Sequence, residues 1–177
     1  MVEAIKALKA EQLQESAEAV PKLVLISSLG VTRPYWPIYI MLNTFGGRVM
    51  HYKLMGEDYA REHCANSDID YTIIRPGRLV LAEKNPQLEG SDLVADQGDK
   101  VTGQILRADV AAVAIHCALN RQAATKATFE LVSTVSITEP EHRENVAKAE
   151  GRGRDWSKLV EHLKSDFQIV SPTLPKF

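Results

Sequence analysis

Two short apolar runs, LVLISSLGV at residues 23–31 and YTIIRPGRLV at residues 71–80, constrain this chain more than anything else in it. Each is a continuous apolar stretch too short for a helix that ends in polar or turn-forming residues, the pattern of a strand buried on both faces of a parallel sheet. In an open α/β sheet the ligand crevice lies outside the carboxyl ends of such strands, here at Ser27-Ser28 and Pro76-Gly77. A nucleotide-binding sheet normally opens with a strand, a G-x-G-x-x-G turn and a helix, because backbone N–H groups must approach a pyrophosphate closely. No such turn occurs here; the first glycine is Gly30. The chain therefore reads as the second half of a dinucleotide-binding domain.

Helices and strands alternate along the rest, which predicts an α/β fold with a parallel sheet. Residues 2–19 are good helix formers stopped by Pro21. Leu23–Ser28 is a strand. Residues 32–42 hold Pro34 and Pro37 among Tyr35, Trp36 and Tyr39, and are expected as an aromatic loop packed over the crevice. A helix over roughly 48–64, a strand at Tyr71–Arg75, a helix at Ala108–Leu119 and a strand at Thr128–Ser133 follow. Residues 83–100, rich in Asp, Glu, Gly, Asn and Gln, are expected as a surface excursion, with GRGR at 151–154 as a linker. Asp155 is expected to N-cap a short helix through Leu163, before an extended tail with Pro172 and Pro175. Three strands are strong. One domain over 1–177, with a core at 20–134 and an extension at 135–177, is the expected organisation.

Composition sets bounds on function. At 177 residues and 45% hydrophobic, the chain can bury roughly 70% of its unfolded surface. A net charge of −2 supplies no basic field for nucleic acid and no polybasic patch for a membrane. No apolar run approaches the ~20 residues of a membrane span. Cys64 and Cys117 lack metal-ligand spacing and suit a reducing compartment. His51, His63 and His116 lack the spacing of a metal site. The expected location is soluble and intracellular, cytoplasmic by default, or an organelle if a targeting segment precedes Met1.

The segments SSLGV, GGRVMHYKLMGEDYARE, DYTIIRPGRLV, TGQILRADVAAVAIHCAL and TFELVS, in that order and spacing, resemble the C-terminal part of the atypical short-chain dehydrogenase/reductases. The most similar branch is the NAD(P)H-binding group described as flavin-reductase-like or nitrogen-regulator-like, and the resemblance spans residues 20–134. It implies a Rossmann-like, doubly wound sheet with flanking helices, of which this chain carries the half surrounding the nicotinamide. Lys53 matches the family's ribose-binding lysine. The position four before it, where the catalytic tyrosine of the dehydrogenases stands, is Val49. Tyr52 is no simple substitute, since neighbouring helix positions point about 100° apart.

Ser28 matches the serine that orients a substrate carbonyl, and reads equally as a turn hydroxyl. Pro76 and Gly77 match the turn beneath the nicotinamide ring. Arg75 is expected to anchor that turn or a phosphate. Arg107 and Asp109 match a pre-helix motif, with Asp109 favourable at a helix N-terminus. The implied function is an NAD(P)-binding oxidoreductase-like protein without independent catalysis, binding NAD(P)H weakly or not at all. The alternative is a truncated, non-catalytic α/β scaffold or partner-binding module. The implied partners are a dinucleotide and an unknown small molecule. The strand Leu23–Ser28, stripped of its upstream neighbour, is expected to self-associate or aggregate, with a homodimer through the exposed sheet edge as the more ordered outcome, or to be covered by the segment ahead of Leu23.

Overall fold

A computed structural model describes residues 20–136 and 152–167. Strands β1 (Lys22–Ile26), β2 (Asp70–Pro76) and β6 (Ala127–Ser133) lie side by side and parallel, extended on the β6 side by β4 (Leu93–Asp96) and β7 (Arg152–Gly153), both antiparallel to their neighbours. A two-stranded parallel ladder joins β3 (Arg78–Val80) to β5 (Gln104–Leu106). The three strong strands are thus the parallel core of a five-stranded mixed sheet. The helices are α1 (Pro37–Thr44), α2 (Val49–Ala65), α3 (Arg107–Leu119) and α4 (Trp156–Glu161). The expected helix over 2–19 and the proline tail lie outside the described residues.

Side chains alternate across the sheet, so β2 and β6 divide the interior into two halves. On one face Ile74, Phe129 and Leu131 pack with Val110, Val113 and Cys117 of α3 and with Leu159 and Val160 of α4. On the other, Leu23, Tyr71 and Ile73 pack with Ala60 and Cys64 of α2. Both cysteines are free and buried, one on each face.

Three expectations need correction. The aromatic loop contains a helix: α1 starts at Pro37, which suits the first helical position because its missing N–H has no intrahelical partner there. The acidic excursion at 83–100 returns to the interior as β4, where Leu93, Val94 and Ala95 are fully buried. A four-residue strand has no periodicity of its own to read; its partner β6 creates it. The GRGR segment is not a linker, since Arg152 and Gly153 pair with Val94 and Leu93 and Arg154 reaches Asp109. The expected parallel sheet is present as β1, β2 and β6, with antiparallel strands added at one edge.

Candidate functional site

Beyond the last paired residue of β1 the chain stays against β2, with Ser27 N–H donating to Ile74 O (2.8 Å) and Leu29 N–H to Pro76 O (3.0 Å). It then turns at Gly30, whose φ of +81° is a conformation that favours glycine and whose absent side chain makes room for the Trp36 ring, 2.7 Å from where a Cβ would sit. Trp36 seals this turn onto Leu29, Val94, Val101 and Val132. Tyr35 beside it is 88% exposed, so the aromatic trio is not one packed lid.

Lys53, one turn into α2, donates its Nζ to Ser27 O at 3.3 Å. The sequence-matched lysine therefore sits at the carboxyl end of β1, and an ammonium has three protons, so donor capacity remains beyond that carbonyl. Ser28 Oγ donates to Leu29 O at 3.3 Å, a local turn contact. Val49 heads α2, 40% exposed, and Tyr52 is 58% exposed.

Pro76 ends β2, and Gly77 N–H donates to Leu131 O (3.0 Å). A Cβ at Gly77 would collide with the carbonyl oxygen of Gly103 and meet Val132 Cγ1 at 2.9 Å. Glycine is required here because two backbones cross.

Arg75 needs correction. Its side chain lies on the α2 face, where Nε and Nη2 donate to the two oxygens of Glu57 (3.1 and 2.7 Å) and Nη1 donates to Glu130 Oε1 (3.3 Å). An arginine already matched by two buried carboxylates is not a phosphate ligand. Sequence reasoning missed both carboxylates. Glu57 signals itself only by lying four residues before Arg61, which bonds it at 2.9 Å, and Glu130 by being a charge inside an otherwise apolar strand.

The two carboxylates respond differently to this setting. Burial pushes Glu57 up, but the hydrogen bonds and charge of Arg75, with smaller help from Ser27 and Arg61, bring it net below the usual carboxylate range. Ser27 Oγ is buried beside that carboxylate without forming a well-aligned hydrogen bond. For Glu130 burial dominates, and with the neighbouring charge of Asp99 it outweighs Arg75, so the carboxyl is pushed up to about 7.

A helix N-terminus with open N–H groups is a ready anion site; two of the four helices described here are capped at that end, while α1 and α3 carry no side-chain cap. The first position of α1 is Pro37. At α2, Asn43 Oδ1 accepts from both Met50 N–H (3.0 Å) and His51 N–H (3.1 Å). Helix α3 carries Asp109 in its first turn, buried and paired with Arg154 at 2.6 Å, while Arg107 is exposed. On α4 the expected cap is in place, with Asp155 accepting from Ser157 and Lys158. The structure thus brings Lys53 and the Ser27-Ser28 turn together at the carboxyl end of β1. No group of three His, Cys, Asp or Glu side chains suited to a metal occurs among the described residues. No helix described here is long and apolar enough to cross a membrane.

A family model described as NAD(P)H-binding matches residues 4–121. An uncharacterized chloroplastic protein of Arabidopsis thaliana is 30% identical over 140 residues, a stretch covering 76% of this chain and 46% of that protein. The chain thus spans about half the length of that relative. Among solved structures, ChuY, an anaerobilin reductase from Escherichia coli O157:H7, is similar at 27% identity and a TM-score of 0.43, over 64% of this chain and 50% of that one.

Proposed function

The chain belongs to the NAD(P)H-binding family, and we propose that it forms the nicotinamide-side part of a dinucleotide site in an oxidoreductase-like protein, without independent catalysis over these 177 residues. The observation that carries this reading is Lys53 Nζ held at Ser27 O, at the carboxyl end of β1. There its remaining protons are placed for ribose hydroxyls, and Ser28 stands beside it. NAD(P)H, when bound, would supply the hydride; these residues would only bind and orient it. Val49 places no acid near a carbonyl, so proton delivery would have to come from a group on the substrate or on a further segment.

The lack of a G-x-G-x-x-G turn in these 177 residues supports weak binding by this stretch alone. Losing the helix-dipole and backbone contacts to the pyrophosphate leaves nicotinamide-side contacts, for an expected dissociation constant nearer ~1 mM than ~1 μM, a gap of about 4 kcal/mol. Calorimetric titration with NADH and NADPH tests this, with Lys53→Met expected to abolish the residual heat. A micromolar constant for the 177-residue chain, or a Lys53→Met variant that binds as well as the parent, would overturn the reading.

A second reading, a partner-binding α/β module, is favoured by the apolar surface on α1 and α2. Ile40, Met41, Phe45, Tyr52 and Met55 are each roughly half exposed or more. It is supported if the chain binds neither dinucleotide at millimolar concentration.

A further inference from the structure

Asp99 stands in the connection between β4 and β5 with a φ of +54° and 7% of its surface exposed. Left-handed backbone is tolerated by aspartate but costs energy, and it persists where surrounding contacts over-determine it. Those contacts converge from one short segment. Oδ1 accepts from Gly30 N–H at 3.1 Å and is approached by Arg33 Nε at 3.3 Å, and Oδ2 accepts from Thr32 Oγ1 at 2.6 Å. Asp99's own N–H donates to Glu130 Oε2 at 2.9 Å, and Glu130 Oε1 accepts from Arg75, which grips Glu57 on α2. Lys53, one turn before Glu57 on the same helix, holds Ser27 O. The segment from Ser27 to Arg33 is therefore tied at its start by Lys53 and at its middle by Asp99, and both ties lead back to α2 through side chains.

We infer that Asp99 is a positioning residue of the dinucleotide site: by gathering Gly30, Thr32 and Arg33 onto one carboxylate anchored to Glu130, it sets the height of the Ser27–Arg33 segment over the carboxyl ends of β1 and β2. This inference rests on the reading given under Proposed function. A backbone segment at a ligand crevice has few partners of its own, so a charged tie that collects three donors fixes the opening into which a nicotinamide would slide. Asp99 touches no reacting atom in this scheme. It acts through the segment.

The test is hydrogen exchange on the 177-residue chain, free and with millimolar NADH, in the parent, Asp99→Gly, Asp99→Asn and Thr32→Val. Glycine accepts the left-handed backbone without strain, so Asp99→Gly removes only the side chain. Asparagine keeps an acceptor for Gly30 N–H and a donor for Thr32 Oγ1, so it is the rescue variant. In Asp99→Gly the Gly30 amide is expected to exchange at least about tenfold faster while the amides of Ile73 and Leu131 change by less than about threefold. Thr32→Val gives a smaller acceleration and Asp99→Asn a near-parental rate. NADH slows Gly30 exchange in the parent and in Asp99→Asn, but not in Asp99→Gly. Unchanged Gly30 exchange in both Asp99→Gly and Thr32→Val overturns the tie, as does acceleration spread evenly over the core. Loosening without any loss of NADH protection overturns the positioning role. Absence of NADH protection in the parent instead overturns the dinucleotide reading, leaving the tie to be judged on the free protein.

Discussion

The two edges of the sheet are finished in opposite ways. Beyond β6 the edge is closed by β4 and β7 and wrapped by the segment that follows α4. Having packed Leu159 and Val160 on the α3 face, this segment exchanges two 2.9 Å hydrogen bonds between Lys164 and the Gln97 side chain. It then sets Asp166 on the α2 face. There Asp166 accepts from Thr128 N–H and Oγ1 (2.9 and 2.7 Å), Arg61 Nε (3.0 Å) and Tyr71 Oη (3.1 Å). At the opposite edge β1 pairs, among the described strands, with β2 alone, and Ile26 is 40% exposed. Helix α1 nearby has no buried residue. The lesson is that polar side-chain ties fasten the β7 side, while among the described residues the β1 side leaves apolar surface exposed.

Breaking the closed half tests this most severely. Arg75→Met leaves Glu130 without its cation and Glu57 with Arg61 alone, and removing one partner of a buried ionic group costs about 3 to 5 kcal/mol. Chemical denaturation should register that loss. A change under ~1 kcal/mol would mean that solvent reaches the network and that the two halves differ less than their burial indicates.

The next effect is a pH dependence. Because burial raises Glu130 from 4.5 to about 7, the folded chain holds a proton that the unfolded chain releases. Its contribution is full below pH 4.5 and is lost as pH rises through 7, on the order of 3 kcal/mol. Glu57, lowered instead, contributes in the opposite sense, losing stability as pH falls below its ordinary range. Thermal melts from pH 5 to 8 should show a declining midpoint in the parent and a flatter one in Glu130→Gln. Parallel profiles would place the titration elsewhere.

Asp166→Ala sharpens the comparison by opening the wrapped edge alone. Losing charge-assisted bonds to Arg61, Tyr71 and Thr128 should cost about 1 to 2 kcal/mol, with exchange accelerating at Thr128 and Tyr71 before it does at Gly30. If Gly30 loosens equally, the two edges are one cooperative unit.

The smallest effect on stability is expected at the open edge. Ile26→Lys should change stability by no more than about 0.5 kcal/mol, yet a lysine there should suppress strand-to-strand association. Light scattering across a concentration series decides whether the parent self-associates and the variant does not. A parent that stays monomeric at all concentrations removes edge dimerisation from consideration.

Much of this architecture was legible without coordinates. Strands β1, β2 and β6 announce themselves as unbroken apolar runs because both their faces are buried, and α2 and α3 follow from spacing and length. Asp155 was readable as a cap because capping is a contact between neighbours in sequence. The short strands β4 and β7 were not, since each is stabilised only by a ladder partner tens of residues away. Lys53 was singled out by the family resemblance, and its place at the carboxyl end of β1 is given by the structure.

The roles of Arg75 and Gly77 could not be read this way. Residue type made Arg75 a phosphate candidate, but Glu57 and Glu130 stand 18 and 55 positions from it, and only the pairing of β2 with β6 under α2 brings them within hydrogen-bonding distance. That Gly77 must be glycine because the Gly103 carbonyl lies against it also follows only from the fold. The sequence by itself determined the parallel core, the family and the missing phosphate turn, because these depend on hydrophobic pattern and local backbone chemistry. Which charges are desolvated, which are matched and which glycine is crowded was decided by the tertiary structure, because burial and electrostatic pairing are set by distances between residues that the chain does not place next to each other.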